Sequence, residues 1–200
     1  MDNTNTQPFI AHVGLGYWGK NILRNLYELN LLHTACDTDQ SILSEMMEQF
    51  PGVKCVASPE DVLSDPDIKA MTIATPAVTH YELARKALVS GKDVFVEKPL
   101  ALNVKEGEEL IGIAKDTGRI LMVGHILQYH PAVIKLKELI SSGELGKIHY
   151  VYSNRLSIGK LRTEENILWS FAPHDISVIL MLLGEEPVKV SAEGGAMRNL

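Results

Sequence analysis

Between residues 9 and 123, short runs of consecutive apolar residues alternate with longer stretches in which apolar positions recur every three or four residues. The short runs at 9–13, 34–36, 54–56, 70–74, 93–96 and 120–123 read as strands, and their lack of polar alternation predicts burial on both faces of a sheet. In the stretches between them, Ile22, Leu23, Leu26 and Leu29 form one helical stripe, and Ile42, Leu43, Met46, Met47 and Phe50 form another. Capping signals begin helices at Ser58-Pro59-Glu60-Asp61, Thr79-His80-Tyr81-Glu82 and Asn103-Val104-Lys105-Glu106, while Gly91, Gly118 and Gly143 stand where helices should end. Strands alternating with helices predict an α/β fold, a parallel sheet covered on both sides.

Beyond Val123 the pattern changes. A helix is predicted over 131–142 and a longer strand over 147–156, where Ile148, Tyr150 and Tyr152 alternate with His149, Val151 and Ser153 as on a half-exposed sheet. A helix from about Ala172 to Leu183 follows, then a strand-like run at 188–192. Two strands and their helices make a poor independent core. Residues 126–200 are therefore expected to open a second, α+β domain whose remainder is absent, after a first domain at 1–125. The 200 residues suit that division or one large domain.

Composition narrows the function. Apolar residues make up 46 % and charged ones 22 %, the balance of a chain that buries a core. The net charge of −6 comes without a run of Lys or Arg able to neutralise a phosphate backbone, which argues against nucleic acid as a partner. Residues 1–8 lack the basic and apolar regions of an export signal, and no apolar stretch has the length of a membrane span. Cys36 and Cys55 have no metal-ligand spacing and read as strand residues, so no metal is expected and the cytoplasm is the expected compartment.

Gly14-Leu15-Gly16-Tyr17-Trp18-Gly19 directly follows the first strand and opens the first helix. In that context G-x-G-x-x-G is a dinucleotide-binding turn: the first glycine permits the tight turn, the second admits a pyrophosphate to the backbone, and the third lets helix and strand pack closely. The helix start adds free N–H groups and partial positive charge. Asp37 ends the second strand, 18 residues after Gly19, where a carboxylate can accept hydrogen bonds from the adenosine ribose. With no Arg in Thr38-Asp39-Gln40 to balance a 2′-phosphate, NAD is the expected cofactor.

Thr75-Pro76 after the fourth strand, His80, and Glu97-Lys98-Pro99 at the end of the fifth, together with the glycine loop, resemble the Gfo/Idh/MocA family of oxidoreductases over residues 9 to about 200. The resemblance implies a doubly wound Rossmann domain followed by a substrate and oligomerisation domain. It places Tyr17, Trp18, Thr75, Pro76, His80, Glu97 and Lys98 with the glycines and Asp37 at the cofactor, and gives Lys98 a second role at the reacting hydroxyl. It also implies a catalytic histidine in the second domain, matched by His174 in Phe171-Ala172-Pro173-His174-Asp175-Ile176. Pro173 suits a first helical turn, and a helix start would keep the imidazole neutral. The family's acid four residues before this histidine is replaced by Ser170.

The stretch 166–171, with Gly124-His125 and Gln128-Tyr129-His130-Pro131, is similar to the branch acting on nucleotide-linked amino sugars and their uronic acids. Arg155, Lys160 and Arg162 are candidate cations for a uronate or diphosphate, or solvated loop charges. His125 and His130 either line a cleft or cap and pack. Gln128 and Asp175 complete the candidate substrate contacts. The expected activity is transfer of a hydride from a sugar ring carbon to NAD, with a homo-oligomeric full-length enzyme. The alternatives are an NAD-binding protein without turnover and a reductase of a cyclic non-sugar substrate.

Overall fold

The computed structural model describes residues 8–156 and 167–195. They divide into two compact units, one running to His125 and including 167–173, the other formed by 126–156 and 174–195.

In the first unit, β1 (Ile10–Val13), β2 (Leu32–Cys36), β3 (Lys54–Val56), β4 (Ala70–Ile73), β5 (Asp93–Val96) and β6 (Leu121–Val123) form one sheet in the order β3-β2-β1-β4-β5-β6. Every neighbouring pair is parallel. The helices α1 (Gly19–Glu28), α2 (Gln40–Gln49), α3 (Pro59–Ser64), α4 (His80–Val89) and α5 (Val104–Thr117) connect them. Two apolar clusters fill the layers. Ala35 packs with Leu23 of α1 and Leu43 and Met46 of α2, whereas Cys36 packs with Val62 of α3, Leu88 of α4 and Leu110 of α5. Adjacent strand residues point to opposite faces, so the clusters lie on the two sides of the sheet. Fully burying one such leucine stabilises the fold by roughly 1.5–3 kcal/mol.

The amino end of the sheet is closed by Lys92. It is buried, and its Nζ donates to the carbonyls of Asp65 and Ile68, each at 2.8 Å.

Several local expectations need correction. β2 begins at Leu32, two residues early, because a register irregularity between Ile10 and Ala11 lets Leu32 pair with Ile10. Leu29 and Met47 are exposed, since their stripes are wider than the surface the sheet covers. Thr79 does not cap α4: it ends a 3₁₀ turn (Ala77–Thr79), and its hydroxyl lies 2.7 Å from the Pro76 carbonyl and from the Thr75 hydroxyl. Asn103 does cap α5, accepting from the Glu106 N–H at 2.9 Å.

The second unit holds α6 (Pro131–Ser141), which His130 caps by accepting from the Ala132 N–H. It also holds the later turns of α7 (Ile167–Leu183), whose Leu182 carbonyl accepts from Lys137. Residues 147–156 and 188–192 form no strand. A strand exists only through a ladder partner, and the described residues supply none. Tyr150, Tyr152, Val188 and Val190 are accordingly exposed. The helix expected from Ala172 spans Ile167–Leu183, which places Pro173 and His174 inside it. His174 therefore does not stand at a helix start that would favour its neutral form.

Candidate active site

Loops at the carboxyl ends of β1, β2, β4, β5 and β6 gather the candidate residues of the first unit. Sheet order reverses between β1 and β4, and crevices at such switch points are where open α/β sheets bind ligands.

The glycine loop fits a dinucleotide. Gly14 has φ 95°, and a Cβ there would stand 2.7 Å from the Ala74 carbonyl group. A Cβ on Gly19 would collide with the Gly14 carbonyl oxygen. At Gly16 nothing lies within 4 Å of the Cβ position, so that backbone is open to approach. Two glycines thus serve close packing and the third leaves room for phosphate oxygens at the start of α1. Tyr17 is fully exposed beside it and Trp18 partly so.

Asp37 is held by the main chain. Its Oδ2 accepts from the Leu15 N–H at 2.6 Å and its Oδ1 from the Asp39 N–H at 3.0 Å. Two backbone donors orient the carboxylate and leave lone pairs for hydroxyl donors.

Sequence reasoning missed His12, a buried polar residue in an otherwise apolar β1. Its Nδ1 lies 2.7 Å from the Thr72 hydroxyl, which itself donates to the Ala11 carbonyl, so Nδ1 is the donor and Nε2 the bare acceptor. That Nε2 lies under the start of α1, 3.1 Å from where a Gly19 Cβ would be. Burial drives the His12 pKa down to about 4, and the ring is neutral. A lone polar residue two positions before the first glycine was the available signal.

At β5, Glu97 Oε1 accepts from the Trp18 indole N–H at 2.9 Å and Oε2 from the Lys98 backbone N–H at 3.3 Å. Burial pushes the Glu97 carboxyl up, opposed first by the Trp18 bond and then by the Lys98 N–H. Gly124, noted above only beside His125 as part of a resemblance, follows β6. A Cβ there would stand 2.8 Å from Glu97 Oε1, so its bareness makes room for the carboxylate. Lys98 Nζ donates to the Ser170 carbonyl at 2.9 Å, and the bond from Lys98 to Pro99 is cis. Ser170 thus meets Lys98 through its main chain.

His80 does not face the crevice. It is buried, with Nδ1 2.7 Å from the Pro99 carbonyl oxygen and Nε2 2.9 Å from that of Thr75. Pro76 leads the 3₁₀ turn between Thr75 and α4. His125 follows β6 half-buried. Its Nδ1 has no hydrogen-bond partner among the described residues, and burial lowers its pKa.

The remaining candidates belong to the second unit. His174 is half-buried in α7, and its carbonyl accepts from the Ser177 hydroxyl. Gln128 donates to the Ser177 carbonyl at 3.2 Å. Arg155 and Asp175 form a two-pronged ion pair at 2.7 and 3.2 Å, and that pairing holds the Asp175 carboxyl below its usual range. Lys160 and Arg162 lie outside the described residues. Among the described residues no His, Cys, Asp or Glu group could hold a metal ion, and no helix is long and apolar enough to cross a membrane.

A parallel sheet in this order, with an open glycine turn between β1 and α1 and a backbone-held acid after β2, defines a dinucleotide-binding Rossmann domain. The Gfo/Idh/MocA oxidoreductase model, an NAD-binding Rossmann fold, matches residues 10–125, and the corresponding C-terminal domain model matches 133–199. The chain belongs to the Gfo/Idh/MocA family of oxidoreductases, and its cofactor is NAD.

Among curated relatives, a UDP-N-acetylglucosamine 3-dehydrogenase of Acidithiobacillus ferrooxidans is 29 % identical, over 92 % of this chain and 57 % of that protein. An NAD-dependent scyllo-inositol 2-dehydrogenase of Bacillus subtilis is 31 % identical, over 94 % and 58 %. A solved structure described as a probable dehydrogenase from Thermotoga maritima superposes with a TM-score of 0.79 at 28 % identity, covering 88 % of this chain and 55 % of that one. The chain thus spans little more than half the length of these relatives.

Proposed function

We propose that the chain is part of an NAD-dependent dehydrogenase that oxidises a ring hydroxyl of a sugar or nucleotide sugar. One observation carries the reading: Lys98 stands at the carboxyl end of β5, in the same unit as the glycine loop, with its ammonium held by the Ser170 carbonyl. The names of the relatives support it, since they act on a nucleotide-linked amino sugar and on a cyclic polyol.

NAD supplies the hydride acceptor. Gly14, Gly16 and Gly19 cradle its phosphates, and Asp37 takes the adenosine ribose hydroxyls in preference to a 2′-phosphate. Glu97, oriented by Trp18, lines the other end of the crevice with Tyr17, Thr75 and Pro76. The Lys98 ammonium donates to the reacting hydroxyl and stabilises negative charge as its proton leaves. His174 takes that proton as general base. His125, Gln128, Lys160 and Arg162 are the proposed sugar contacts. Arg155 and Asp175, already paired, shape that region together. The complete enzyme is a cytoplasmic homo-oligomer.

The test measures NADH formation from a panel of free sugars, inositols and UDP-linked sugars, with NAD binding followed separately. Reduction by wild type, lost in Lys98→Met while NAD still binds, is the expected result. Tight NAD binding with no reduction by any compound would make this chain a binding protein instead.

A further inference from the structure

We propose that His80 is a positioning residue for Lys98, bridging the loops after β4 and β5 through both of its ring nitrogens. The proposal rests on the role given to Lys98 above, whereas the bridge itself stands on geometry. Nδ1 is 2.7 Å from the Pro99 carbonyl oxygen, one residue beyond Lys98, and Nε2 is 2.9 Å from the Thr75 carbonyl oxygen. Carbonyl oxygens only accept, and a neutral imidazole has a single N–H, so both bonds form together when each ring nitrogen carries a proton. Lys98, the nearby cation, sends its ammonium to the Ser170 carbonyl.

The ring is inaccessible at 2 % exposure, so it cannot meet a cofactor or substrate itself. What it does is join two main-chain segments. His80 is the first residue of α4, anchored through Ala84, Ala87 and Leu88 in the core under the sheet. From there it holds the β4 loop at Thr75 and the β5 loop at Pro99 in one register. The Lys98 main chain is thereby fixed against a buried helix. A side chain lacking either donor lets the β5 loop move independently of the β4 loop, and the Lys98 ammonium loses its place.

The test is reductive methylation of the whole chain, read lysine by lysine by mass spectrometry, in wild type, His80→Phe and His80→Gln. Loss of the bridge in the Phe variant is expected to raise Lys98 labelling about tenfold. Gln, which keeps one donor, should raise it less, and exposed Lys105 and Lys115 should be unchanged in both. Unchanged Lys98 labelling in a folded Phe variant overturns the proposal. So does a Gln variant in which all three lysines rise together. Should the Phe variant not fold, the Gln variant and the wild-type ring protons decide. Two slowly exchanging His80 ring N–H signals support the bridge, and exchange as fast as that of exposed His149 refutes it. Because none of these readouts needs turnover, an active Lys98→Met enzyme would remove the catalytic role of Lys98 and leave the bridge standing.

Discussion

The Trp18 indole N–H donates to Glu97 Oε1 at 2.9 Å, joining the residue before α1 to the residue after β5. β4 lies between the two strands concerned, so this one bond crosses the mouth of the crevice. It is also the first of the contacts opposing the effect of burial on Glu97.

Burial raises the Glu97 pKa in the folded protein above its unfolded value. Its contribution to stability is then fully present below the ordinary glutamate pKa of about 4.3 and is lost as pH rises through the raised value. Glu97→Gln should flatten the decline in stability as pH rises above about 4.3. Trp18→Phe should steepen it by removing a donor to the ionised form. Chemical denaturation across that range checks both. Identical slopes in all three proteins would mean that Glu97 is solvated.

Gly124→Ala would drive a methyl to within 2.8 Å of Glu97 Oε1. The carboxylate must shift or the strand end must, and such overpacking costs roughly 1–3 kcal/mol. Gly112→Ala, inside α5 with nothing within 4 Å of its Cβ position, should stabilise by about 0.5–1 kcal/mol. Denaturation midpoints of the pair would reveal whether the space beside Gly124 belongs to Glu97.

NAD should bind more tightly than NADP, by about tenfold or more if one charge-assisted hydrogen bond is at stake. Asp37→Ala should narrow that gap while weakening both cofactors, since it also releases the Leu15 N–H. Calorimetric titration of each cofactor is the measurement. A wild-type preference for NADP would remove Asp37 from the ribose.

His174→Asn should lower turnover by ~10²–10⁴ and erase the ionisation of the base from the pH–rate profile. A profile that keeps its shape would assign proton removal to another group.

The six strands and the glycine turn were legible because burial on both faces leaves unbroken apolar runs, and because a turn between strand and helix needs glycine at set positions. Asp37 was legible from its distance to that turn. The segments at 147–156 and 188–192 misled because alternation reports which face of a strand is wet, and says nothing about whether a neighbour exists to complete the ladder. Pro173 misled because a proline tolerated in the first helical turn can also sit inside a helix. His80 could be marked as a site residue from its neighbours, but its burial and its two carbonyl partners come from loops distant in sequence. Gly124 entered only through a resemblance, and its fit to Glu97 stayed hidden because that carboxylate lies 27 positions earlier.

Lys92 gives the amino end of the sheet a different character. Its ammonium is satisfied by two main-chain carbonyls, those of Asp65 and Ile68. The same strands therefore end in a closed seam on one side and an array of loops on the other. Resistance to unfolding and recognition of the dinucleotide can then drift separately: loops can be exchanged for a new substrate while the seam keeps the scaffold folded, and damage at the seam would cost lifetime before it cost selectivity.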